Sequence, residues 1–188
     1  METRKDLLSL ALKAGLVIAA VGILWFIIQY VLDVKPVGLA KPILLGLFSF
    51  ALNITILVIY LKKFRTQIGG YITFSNAFLF CLVALVCATI ISTIFTFLFI
   101  QFFDPLYMKN IMEAQKNWME GYLAGKMSDE QIAKSLEKLD EQAANANSVA
   151  RNIKNMGIGI IIGAVISLIV GAIMQKKPNV FENTGGVI

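Results

Sequence analysis

The chain has 188 residues, of which 57% are hydrophobic and 15% charged, with a formal net charge of +5 and a mean hydropathy of +0.74. Soluble domains carry about 25% charged residues, so this composition excludes an ordinary soluble protein and makes the lipid bilayer the first partner. The positive balance does not point to nucleic acid, because the basic residues sit in short clusters beside apolar runs, where topogenic charge accounts for them.

Arg4, Lys5 and Lys13 precede an uncharged run from Ala14 to Leu32. That run is longer than a signal-peptide core and is followed by no A-x-A site, so it predicts a first membrane span over 14–32, with Trp25, Gln29 and Tyr30 toward its far end. Pro36 and Gly38 mark a short turn that brings the next helix back antiparallel. Pro42 suits the first turn of a second span over 42–61, which Lys62, Lys63 and Arg65 close. Asn53 is the strongly polar side chain near mid-depth, flanked by Ser49 and Thr55. It admits two readings, an interhelical hydrogen bond worth about 0.6 kcal/mol and a substrate or ion contact; the structural reading is favoured.

Thr66 to Phe103 contains no Asp, Glu, Lys, Arg or His and predicts a third span over 78–103, the stretch around which the chain is organised. Thr89, Ser92, Thr93 and Thr96 gather on one face, extended by Ala84 and Ala88. Their hydroxyls either line a polar path or bond the carbonyl one turn back and are silent, and the second reading is favoured. Asn53 and the turn Thr89–Thr93 fall at similar depth and are expected as partners. Cys81 and Cys87 lie on this span, about 240° apart around a helix, so no disulfide is expected. The chain has no His and no CxxC, so no metal site or cofactor is expected either.

Asp104-Pro105 reads as an N-cap and first-turn proline, after which a helical hairpin is expected over 104–153. Met108, Ile111, Met112, Gln115, Trp118, Met119 and Tyr122 share one face of its first helix. Ser128 and Gln131 form a capping box for the second. There Ile132, Leu136, Leu139, Ala143, Ala146, Ala150 and Ile153 recur at heptad spacing, predicting a seam against the first helix and a junction with the fourth span that has little or no break. A partner protein at that seam is the alternative.

The fourth span, over 156–174, carries Gly159, Gly163, Ser167 and Gly171 at every fourth residue. This small-residue stripe is the strongest packing signal in the chain, either within one chain or between two copies. Gly15 and Ala19 are its candidate counterpart, and Gly163 is the expected close-contact position. The tail to Ile188 reads as short, polar and mobile. The fold class is therefore all-α: a polytopic membrane protein of four transmembrane helices with an extracytoplasmic helical hairpin between helices 3 and 4. Basic residues at both chain ends and after Leu61 put both termini in the cytoplasm.

Four spans, the entry Gly70-Tyr71-Ile72-Thr73-Phe74-Ser75-Asn76-Ala77-Phe78, Asp104-Pro105 and the polar helical insert together resemble the family called domain of unknown function 4199. The resemblance covers nearly the whole chain and implies a small bacterial inner-membrane protein, mainly of the Bacteroidota, with no catalytic residue to carry over. No nucleophile–base set, phosphate-cradling loop or intramembrane carboxylate pair is present. The sequence thus favours a non-enzymatic assembly component, working as a homo-oligomer or with another membrane protein, over a small transporter or channel subunit.

Overall fold

The computed structural model describes residues 2–144 and 148–176. Its helices are α1 (Glu2–Val31), α2 (Ala40–Gln67), α3 (Phe74–Leu98, prolonged by the π-helical turn Phe99–Phe103), α4 (Tyr107–Leu123), α5 (Asp129–Ala144) and α6 (Val149–Met174). Among the described residues, four stretches are long and apolar enough to cross a bilayer: Arg4–Val31, Ala40–Gln67, Phe74–Phe103 and Val149–Met174, with mean hydropathies from 2.3 to 2.7. The molecule is a multi-pass membrane protein, and α4 and α5 form a helical hairpin between the third and fourth spans.

The helices outrun the apolar segments that announce them. Residues 2–13 contain no Gly or Pro, so nothing stops α1 from winding through the basic N-terminal segment, where Leu7, Leu10 and Ala11 are buried. At the other end, α6 starts seven residues before Met156, with the extended Ser148 accepting a hydrogen bond on Oγ from the Arg151 N–H at 3.1 Å. The extended Ser148 breaks the helix just before α6, where a junction with little or no break was expected. Of the predicted seam, Ala146 lies outside the described residues, as does the tail from Lys177.

The third span is the centre of the bundle, packed by α1 on one flank and α6 on another. Lipid tails are as apolar as leucine, so close approach and not hydrophobicity must hold such helices together. Ala11, Ala14 and Ala19 of α1 and Ala77, Ala84 and Ala88 of α3 are buried accordingly. A Cβ built on Gly15 would lie 2.6 Å from the Ala84 carbonyl oxygen and 2.8 Å from Cys87 Cβ. The α6 stripe meets α3 from elsewhere: Gly159 faces Thr89, Gly163 faces Leu85 and Gly171 faces the Phe78 backbone, while Ser167 is buried and donates its hydroxyl to the Gly163 carbonyl at 2.7 Å. Gly15 is therefore not the counterpart of that stripe; both press on α3, and the stripe is occupied within one chain.

The second helix is held unevenly. Leu57, Leu61 and Phe64 are fully buried, and Phe64 stacks on Phe80 with ring centroids 5.5 Å apart. Its first half presents Ile43, Leu44, Leu47 and Phe50 outward. At the basic end the Gly70–Phe78 motif becomes a clasp. Gly69 and Gly70 turn the chain at φ +92° and +84°, and Ile72 and Lys176 exchange backbone hydrogen bonds of 3.0 and 2.9 Å. Thr73 then caps α3 by accepting from the Asn76 N–H.

At the opposite end, Asp104 does not cap a helix directly. Its Oδ1 accepts from the Leu106 N–H at 3.1 Å, making a turn through Pro105, and α4 begins only at Tyr107. Proline cannot donate, which leaves that turn to the carboxylate. Asp104 Oδ2 also accepts from the Tyr30 hydroxyl at 3.2 Å. Gln115 Oε1 of α4 accepts from the Gly38 N–H at 2.9 Å, and the Trp118 ring lies over Gly38, whose φ is +88°. The hairpin is thus fastened to both ends of the α1–α2 turn. Tyr30→Phe and Gln115→Ala are each expected to loosen this fastening and to raise amide exchange in α4, measured by mass spectrometry.

Within the hairpin the capping box forms reciprocally, Ser128 N–H to Gln131 Oε1 and Gln131 N–H to Ser128 Oγ, each at 3.4 Å. Ile132, Leu136 and Leu139 of α5 are half-buried, and Lys116 of α4 pairs with Asp140 at 2.7 Å. Paired Leu136→Asp and Leu139→Asp substitutions are expected to expose 107–144 to rapid proteolysis; unchanged resistance would show that the seam does not hold the hairpin.

Candidate functional site: a neutral polar cleft in the membrane

Because α2 closes on the bundle only through its second half, a cavity of about 360 Å³ remains between α1, α2 and α3. Ser49 and Asn53 of α2 reach it from one side, Thr89, Ser92, Thr93 and Thr96 of α3 from the other, and Gly22 of α1 leaves it room. All six polar residues are half-buried, so the cavity is an open cleft and not a sealed void.

Packed side chains lie beyond both of its ends. Toward the basic end lie Leu57, Leu61, Phe64, Phe80 and Ala84, each fully buried. Toward the hairpin end, Phe26 and Phe95 of the lining join an aromatic cluster. Phe26 meets Phe95 at 6.0 Å, Phe99 at 5.1 Å and Tyr107 at 5.6 Å, and Tyr30 meets Phe99 at 4.9 Å. The π-helical turn serves this cluster by stacking Phe99 on Phe103 at 5.0 Å beside Tyr30. Trp25 and Phe48 join α1 to α2 at 4.7 Å. Burial, and then the negative charge of Asp104, push the Tyr107 phenol above its ordinary range. The cleft thus has packed side chains beyond each of its ends.

The lining side chains are uncommitted. Thr55, Thr66 and Ser167 return their hydroxyls to the carbonyl one turn back. Among the described residues, the side chains of Ser49, Asn53, Thr89, Ser92, Thr93 and Thr96 make no such bond, to backbone or to one another. This corrects two expectations. The α3 hydroxyls are not silenced by their own helix, and Asn53 shares a cavity with Thr89, Ser92 and Thr93 without bonding to them. An interhelical bond was legible as a matching depth; the splay of α2 that separates the groups was not. No ionisable side chain lines the cleft, and among the described residues no group of three His, Cys, Asp or Glu converges elsewhere.

Fold and site together define a four-span helical membrane protein with a hairpin insert and an uncharged cleft inside its bundle. The chain belongs to the family described as Protein of unknown function (DUF4199), whose sequence model matches residues 13–176. No curated relative and no solved structure matches it.

Proposed function

We propose that this protein is a non-enzymatic interaction component of the bacterial inner membrane, with both termini cytoplasmic, that engages another constituent of the bilayer through the α1–α2–α3 cleft. The supporting observation is the cleft itself: six neutral polar side chains without partners among the described residues, with packed side chains beyond both ends; on this reading its mouth faces the bilayer. Exposed leucines on α2 need no partner in lipid, whereas amides and hydroxyls there gain by finding one. A guest that satisfies them is held in place. A transport path usually carries ionisable groups, and none lines the cleft. The glycine stripe, being spent on α3, leaves the cleft and the hairpin as the surfaces for assembly with a second copy or another membrane protein.

Mild crosslinking followed by purification is expected to retain a discrete membrane partner, whose yield falls in the Asn53→Leu protein. Solute flux in reconstituted vesicles that Asn53→Leu abolishes without loss of folding would instead establish transport. For orientation, Lys126→Cys is expected to react with an impermeant reagent on spheroplasts and Lys63→Cys to be protected; the reverse pattern would invert the topology.

A further inference from the structure

We infer that the cleft binds the uncharged, hydrogen-bonding head of a membrane amphiphile, of the class that pairs a hydroxyl with ester carbonyls, such as a diacylglycerol. This rests on reading the cleft as an interaction site, and it names the guest.

Three features select that class. The first is length. The lining runs from Ile18 to Phe26 on α1 and from Leu85 to Thr96 on α3, which at 1.5 Å per residue is about 12 to 17 Å. A spanning helix needs a groove of about 30 Å, so this cleft admits a head group or a single side chain and not a helix. The second is charge. Hydroxyls both donate and accept and the Asn53 amide does both, so a guest hydroxyl and a guest carbonyl are equally served. A phosphate, carboxylate or ammonium would enter low dielectric with no counter-charge on the lining, at a prohibitive desolvation cost.

The third is the neighbouring surface. Thr93 also lines a second groove of about 400 Å³, formed with Ile94 and Phe97 of α3 and Ile153 and Met156 of α6. Apart from Thr93, its polar member is Asn152, whose amide is engaged by donating to the Ser148 carbonyl at 3.0 Å. A polar pocket adjoining an apolar groove across one shared threonine has the layout of an amphiphile, with its head in the cleft and an acyl chain along α3 and α6.

The test uses the purified full chain in nanodiscs or mild detergent, with diacylglycerol, phosphatidylglycerol of the same chains and a plain long-chain alkane as probes, read by native mass spectrometry. Diacylglycerol is expected to be retained over the other two. Thr93→Val and Thr96→Val, which keep side-chain shape and remove the hydroxyl, are expected to lower that retention about tenfold together while melting as the parent does without lipid. Equal retention of phosphatidylglycerol, or no effect of either variant, overturns the neutral-lipid assignment. A photoreactive residue placed at Ser49 in cells separates the two claims. A lipid adduct supports both, a protein adduct overturns the lipid assignment while keeping the cleft as an interaction site, and no adduct overturns both.

Discussion

Replacing Gly15 with alanine is expected to destabilise the bundle by about 1–3 kcal/mol, and replacing it with leucine to prevent α1 from docking on α3. The added Cβ would sit 2.6 Å from the Ala84 carbonyl oxygen and 2.8 Å from Cys87 Cβ. Backbone cannot swing aside as a flexible side chain does, so the helices must part, and close contact is what holds them in lipid. Gly171→Ala ranks second, since its Cβ would meet the Phe78 backbone at 3.1 Å. Gly163→Ala is expected to be nearly neutral, because that Cβ would lie 3.4 Å from Leu85, an ordinary contact. Gly157→Ala has nothing within 4 Å and serves as the control. Thermal melting in detergent gives the order; Gly163→Ala as the most harmful of the four would place the tightest crossing at α6 and not at α1.

Phe80→Ala is expected to do comparable damage by the opposite route. Phe80 and Phe64 are fully buried and stacked, and they fasten α2 to α3 below the cleft. In lipid the transfer contribution is small, but a ring-sized void of roughly 100 Å³ at about 24 cal/mol per Å³ still costs about 2 kcal/mol. Because α2 has little other contact with α3, the loss should fall on its position: the melting temperature drops and a spin label at Ser49 moves farther from one on α3. A lowered melting point with that distance unchanged would mean that α1 alone sets the place of α2.

How much of this was legible in the sequence follows from the range of each signal. Hydropathy runs and the Ser128–Gln131 box are local patterns, and each is found as read. The boundaries of α1 and α6 were harder, since charged residues outside the hydrocarbon continue a helix as readily as they end it. Asp104-Pro105 carried a true break, but a turn through Asp104 Oδ1 and a helix N-cap look alike until the next backbone hydrogen bond is placed. The stripe Gly159–Gly171 announced a close contact without saying with what, and α1 offered the most similar small residues. Only the arrangement of helices reveals that α3 stands between them. Likewise Ser49, Asn53 and the α3 hydroxyls could be assigned to one depth from spacing alone, whereas the gap between them arises from long-range packing at Phe64 and Phe80. The Ile72–Lys176 clasp and the Gly38–Gln115 link join residues far apart in the chain and had no local signature.

The most direct test of the cleft as a lateral, membrane-facing site is the accessibility of a spin label at Ser49→Cys, with Cys87→Ala removing the half-buried native thiol, in the protein reconstituted in lipid. Relaxation by dissolved oxygen, which concentrates in hydrocarbon, should be strong, and relaxation by a water-soluble nickel chelate should be weak from either side of the membrane. Strong nickel relaxation would contradict the account, because it would show an aqueous path into the cleft where the aromatic cluster and the Phe64–Phe80 plug are held to close it.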